Sequence, residues 1–115
     1  MENKKLYIPV NSKELRVLYN TICAEHTLVG ANYVYTMYTY SIIENKIKPL
    51  YNKYQNGEIV IVEFHEYELM MIRQALKRRM FRVTDAYEID TIKYLINKIK
   101  SIINEAYTKA LTVKE

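Results

Sequence analysis

A chain of 115 residues that contains only two glycines, Gly30 and Gly57, and two prolines, Pro9 and Pro49, has little material for tight turns. Most of its length must run in long elements with few connections, and any phosphate cradle built from several glycines is excluded. At this size folding buries about two-thirds of the unfolded surface, which predicts one core and a single domain over residues 1–115. Apolar residues are 50% and charged residues 26% of the total, so collagen-like, disulfide-scaffold and wholly disordered chains are also excluded.

Helical spacing dominates. Asn11 and Glu14 stand three apart as a capping box, and behind them Leu15, Leu18, Ile22 and Val29 predict a first helix over Ser12–His26. Past Gly30, Val34, Tyr38, Ile42, Ile47 and Leu50 fall along one side of a second helix, whose last turn Pro49 should kink. The run Tyr33–Tyr40 is dense in tyrosine and threonine and by local propensity alone would be a strand. Helix three opens near Glu66 with Leu69, Ile72, Leu76, Met80 and Val83. Helix four follows Thr84 and Asp85 with Ile89, Ile92, Ile96, Ile99, Ile103 and Ala106.

Two short segments, 6–10 and 59–64, are β-rich and suit a two-stranded ribbon, and Asn56-Gly57 is the strongest turn signal between the halves. Displacing Ile8–Ile42 by 54 positions matches Glu14 with Glu68, Leu15 with Leu69, Tyr33 with Tyr87 and Tyr40 with Tyr94. After a two-residue slip Asn45-Lys-Ile-Lys48 matches Asn97-Lys-Ile-Lys100. This suggests a repeat over 8–54 and 62–106. The fold class expected is mainly α: a four-helix bundle from two duplicated hairpins, joined by the ribbon near a pseudo-twofold axis.

Fourteen isoleucines, twelve lysines, twelve tyrosines and nine asparagines are residues with AT-rich codons, a composition that suits a phage, virus or other mobile element. The single cysteine, Cys23, and the lack of an apolar N-terminal run lead to the expectation of a reducing, cytoplasmic setting. No stretch reaches the roughly 20 apolar residues a bilayer needs, so no membrane partner is expected. The net charge of +4 is mild and spread over lysines, which allows nucleic acid as a partner without requiring it.

Nucleotide-loop, paired-cysteine, zincin and serine-hydrolase motifs are all missing, and no cofactor is expected. Cys23 and His26 could face each other one helical turn apart as a nucleophile and base, although a lone cysteine is far more often core filler. Glu58, Glu63, His65, Glu66 and Glu68 form an acidic cluster, and Asp85, Glu88 and Asp90 another. Both open helices, where negative charge offsets the helix dipole, so no metal site is assigned. A metal-dependent hydrolase would require Glu66, Glu68, Asp85 and Glu88 to converge.

The asymmetry of the basic residues is more informative. No acid occurs from Leu69 to Thr84, and four of the five arginines lie there. Arg73, Lys77, Arg78 and Arg82, with Phe81, make a candidate partner-binding stripe. Tyr35, Tyr38, Tyr51 and Tyr54 are the candidate interface tyrosines, whereas Tyr87 and Tyr94 are expected to pack. The function expected is that of a non-enzymatic interaction protein which masks a protein partner of acidic surface and self-associates as a dimer. The alternative is a dimeric nucleic-acid-binding regulator using the helix-three stripe.

Overall fold

Apolar side chains at every second position let two short segments share one buried face, and these segments find each other. The computed structural model describes residues 5–28, 41–53 and 58–113, with side chains over 5–24, 41–50 and 58–108. Strands β1 (Lys5–Val10) and β2 (Val60–His65) pair antiparallel as a two-stranded sheet. Ile8 stands opposite Val62, Leu6 opposite Phe64 and Val10 opposite Val60. Ile8, Val10, Val60, Val62 and Phe64 bury their side chains on the inner face.

The rest of the described chain is mainly helical. Helix α1 is Ser12–Leu28, a π-helical stretch at Ile43–Ile47 runs into α2 (Lys48–Lys53), and α3 (Glu66–Met80) and α4 (Ala86–Val113) follow β2. Helix α1 packs on α3, α3 on α4, and α4 reaches back across β1. Their shared core joins Leu15, Leu18, Ile22, Ile42, Ile47, Leu69, Ile72 and Leu76 to the ribbon residues. On α4 the buried stripe is Ile92, Leu95, Ile99 and Ile103, with Ile96 only partly covered. Ile92, Ile99 and Ile103 are buried as the spacing predicts, and Leu95 takes the inward place expected of Ile96.

Several helix ends follow their residues closely. Asn11 Oδ1 accepts the Glu14 N–H at 2.8 Å while Glu14 Oε1 accepts the Asn11 N–H at 2.9 Å, so α1 starts on a complete capping box. At α3, Glu68 Oε1 accepts the His65 N–H at 2.7 Å. At α4, Asp85 Oδ2 accepts the Glu88 N–H at 3.3 Å. The kink expected at Pro49 takes the form of the wider π winding: Lys48 N–H bonds back to the Ile43 carbonyl. Proline lacks an N–H and its ring collides with the carbonyl four residues back, and the extra residue in the preceding turn relieves that collision. Tyr33–Tyr40, Gly30 and the Asn56-Gly57 turn lie outside the described residues.

Glu14 and Glu68 are 7% and 5% exposed, and neither is left to its backbone partner alone. Lys98, on α4, stands 3.5 Å from Glu14, and Lys46, in the π-helical stretch, stands 4.0 Å from Glu68. The same two ammonium groups donate to strand carbonyls, Lys98 to Pro9 O and Lys46 to Glu63 O at 3.0 Å for the latter. Each lysine thus ties its own helix to a strand and helix start in the other half of the sequence. Removing one partner of such a charged contact costs about 2 kcal/mol. Double-mutant cycles read by urea denaturation should show coupling of about 1 kcal/mol for Lys98 with Glu14 and for Lys46 with Glu68, and none for the crossed pairs.

Candidate functional site

The basic end of α3 presents its residues unequally. Arg78, Phe81 and Arg82 are exposed, with Phe81 at 85%, whereas Arg73 and Lys77 are half-buried. The stripe expected from the sequence is therefore narrower than its spacing suggested: Arg73 lies with its Nε buried and unbonded among the described residues. Arg79 turns away from this surface. Its Nη2 meets Glu88 Oε1 at 3.3 Å and closes the α3–α4 turn.

Lys77 instead lines a groove of about 330 Å³ between α3 and α4, with Met80, Phe81, Lys93, Ile96 and Asn97. Helical spacing at i and i+4 places Lys77 beside Phe81 on one wall, and Lys93 and Asn97 on the other. Half of that wall was not foreseen. Its signal was available in Lys93, Ile96 and Asn97, which are spaced as one face of α4.

Tyr87 and Tyr94 do not pack in the core. They are 62% and 56% exposed, because α4 turns Ile92, Leu95 and Ile99 inward and so sends the tyrosines outward. Lysines cover them: Lys13 Nζ lies 3.2 Å from the Tyr87 ring centroid and Lys98 Nζ 5.2 Å from that of Tyr94. The side chains of Tyr35, Tyr38, Tyr51 and Tyr54 lie outside the described residues.

The ribbon's outer face carries the largest group of exposed apolar side chains that sequence reasoning missed. Tyr7 is 58%, Ile59 72% and Ile61 67% exposed, and Pro9 lies opposite Ile61. Tyr94 reaches this face, lining a cleft with Pro9, Ile59 and Lys98. The clue was that Ile59-Val-Ile-Val62 is apolar in both phases of the alternation, and a sheet with helices on one side can bury only one phase. At the other end of the face Lys5 and Glu63 pair at 3.6 Å.

The carboxylates are dispersed. Glu68 is held by the His65 N–H and Lys46, Glu88 by Arg79, and Asp85 by the first turn of α4. Glu66 stands beside the Tyr107 hydroxyl, far along α4. Helices α3 and α4 run antiparallel, so their starts are separated by the length of α3, about 20 Å. No group of three or more His, Cys, Asp or Glu among the described residues could hold a metal ion. Cys23 lies against Tyr19 one turn earlier, and this neighbour raises the Tyr19 phenol above its ordinary 10.0. The His26 side chain is outside the described residues.

Among the described residues no helix is long and apolar enough to cross a membrane. The chain matches no protein-family model, no curated protein and no solved structure.

The α3–α4 hairpin is tied at its turn by Arg79 with Glu88, and at its opening Glu66 stands beside the exposed Tyr107. The Glu66 carboxylate accepts the phenolic proton and its charge opposes phenolate formation, which raises Tyr107 above the ordinary value of 10.0. In an NMR titration of the tyrosine ring carbons Tyr107 should ionise above the ordinary value, and Glu66→Gln should lower its midpoint.

Proposed function

We propose that the protein is a small, non-enzymatic interaction protein that binds and masks a protein partner, as its sequence suggested. The observation that carries this reading is the outer ribbon face. Tyr7, Pro9, Ile59, Ile61 and the neighbouring Tyr94 make one apolar and aromatic surface, the composition found at the centre of protein interfaces. Strand addition is disfavoured there: Pro9 lacks an N–H, and Lys98 and Lys46 each occupy a carbonyl of an outer strand. Recognition is then face-on, through side chains. The exposed Arg78 and Arg82 supply a second, cationic surface that suits an acidic partner.

The architecture also supports an internal duplication, two strand–helix–helix units folded as four helices about one axis. Ile8 pairs with Val62, its own counterpart in the repeat. Asn11–Glu14 recurs as His65–Glu68, and Lys98 at Glu14 and Pro9 recurs as Lys46 at Glu68 and Glu63. In this reading the twofold partner expected from the sequence is supplied within one chain.

That symmetry favours a second reading. A two-stranded antiparallel ribbon is a shape that the DNA major groove admits, and a twofold reader suits a palindromic site. The side chains weigh against it, since the outward face offers isoleucine, proline and a self-neutralised Lys5–Glu63 pair in place of groups that read base edges.

Affinity capture from the native host separates the two. The wild-type chain should recover a protein whose binding declines gently with salt, and Ile61→Asp should reduce recovery by more than about tenfold. Recovery of nucleic acid with a steep salt dependence would establish the second reading in its place. Equal recovery by Ile61→Asp and by Arg78→Glu with Arg82→Glu would refute the first.

A further inference from the structure

We infer that the groove between the end of α3 and the middle of α4 receives an acidic amphipathic helix of a protein partner. This deepens the reading of the chain as a protein-binding module and concerns a different face from the ribbon. The groove runs between two adjacent antiparallel helices, the setting in which a third helix can lay its apolar side. Met80 and Ile96 are its partly buried apolar floor, and Phe81 stands 85% exposed at its edge. A phenyl ring left in water beside an apolar floor gains most from being covered.

Charge selects the occupant. Lys77 and Lys93 lie on opposite walls, and none of the groove's lining residues is acidic. The nearby acid Glu88 is bound to Arg79. An occupying helix that places Leu, Ile or Phe at positions i and i+3 or i+4, with Asp or Glu on both flanks, would bury the floor and meet a lysine on each side. Nucleic acid fits less well, because the two lysines are separated by an apolar strip that offers nothing to a phosphate chain.

Random peptides displayed on phage and selected against the full chain test this. Enriched sequences should share the acidic, helically spaced apolar pattern. As synthetic peptides, followed by fluorescence anisotropy, they should lose at least about tenfold in affinity to Phe81→Ala. Lys77→Glu with Lys93→Glu should transfer preference to analogues carrying lysine in place of the acids, whereas Ile61→Lys on the ribbon should leave affinity unchanged. Circular dichroism confirms that each variant is folded. Three results would overturn the inference: enriched peptides without the acidic pattern, affinity untouched by Phe81→Ala, or competition by duplex DNA at the same residues. Peptides that lose affinity to Ile61→Lys alone would remove the groove and leave the protein-binding reading standing. Failure to enrich any peptide would count against both.

Discussion

Two buried carboxylates hold the described chain together, and each does so for the half of the sequence to which it does not belong. Glu14 starts α1 and Glu68 starts α3, where each satisfies a backbone N–H that the helix leaves open. A carboxylate so nearly removed from water needs a counter-charge. Lys98 and Lys46 supply it from distant helices. The lysines in turn need acceptors for their remaining protons, and strand carbonyls at Pro9 and Glu63 provide them. Helix start, strand edge and far helix are therefore fixed relative to one another by a few polar atoms. The apolar core beneath them supplies most of the stabilisation but little of this registration, because burial is indifferent to direction.

The parts of the fold legible in the sequence are those governed by nearest neighbours along the chain. Asn11 with Glu14 announced α1, Thr84 and Asp85 announced α4, and the β-rich runs Leu6–Val10 and Ile59–Phe64 announced a ribbon close to its observed limits. The lysine contacts were not legible. Lys46 and Lys98 look like solvated charges in a run of Asn-Lys-Ile-Lys, and only the pairing of strands far apart in sequence brings them to Glu68 and Glu14. The match between the two tetrapeptides was visible, but its chemical meaning was not.

The candidate surfaces were half legible for a related reason. The acid-free stretch from Leu69 to Thr84 points to the end of α3, where Phe81 and the exposed Arg78 and Arg82 lie. It could not reveal that Arg79 would be drawn into the turn by Glu88, or that Lys77 would face Lys93 across a groove. Tyr87 and Tyr94, seven apart, stack along one helix face, and that spacing alone predicts that they pack. Their placement was decided instead by Ile92, Leu95 and Ile99, which outcompete them for the inner face by forming the more continuous apolar stripe.

The lysine contacts at the ribbon's two edges also bear on how the chain behaves when crowded. Ile59–Phe64 reads Ile-Val-Ile-Val-Glu-Phe, a stretch of the kind that stacks into cross-β fibrils when its backbone is open to copies of itself. In the folded molecule one side of β2 is taken by β1, and on the other Lys46 holds the Glu63 carbonyl while a helix packs close by. Ile59 and Ile61 thus stand in solvent while the strand beneath them is paired on one side and bonded at the Glu63 carbonyl on the other, which leaves less of its backbone open to a copy of itself.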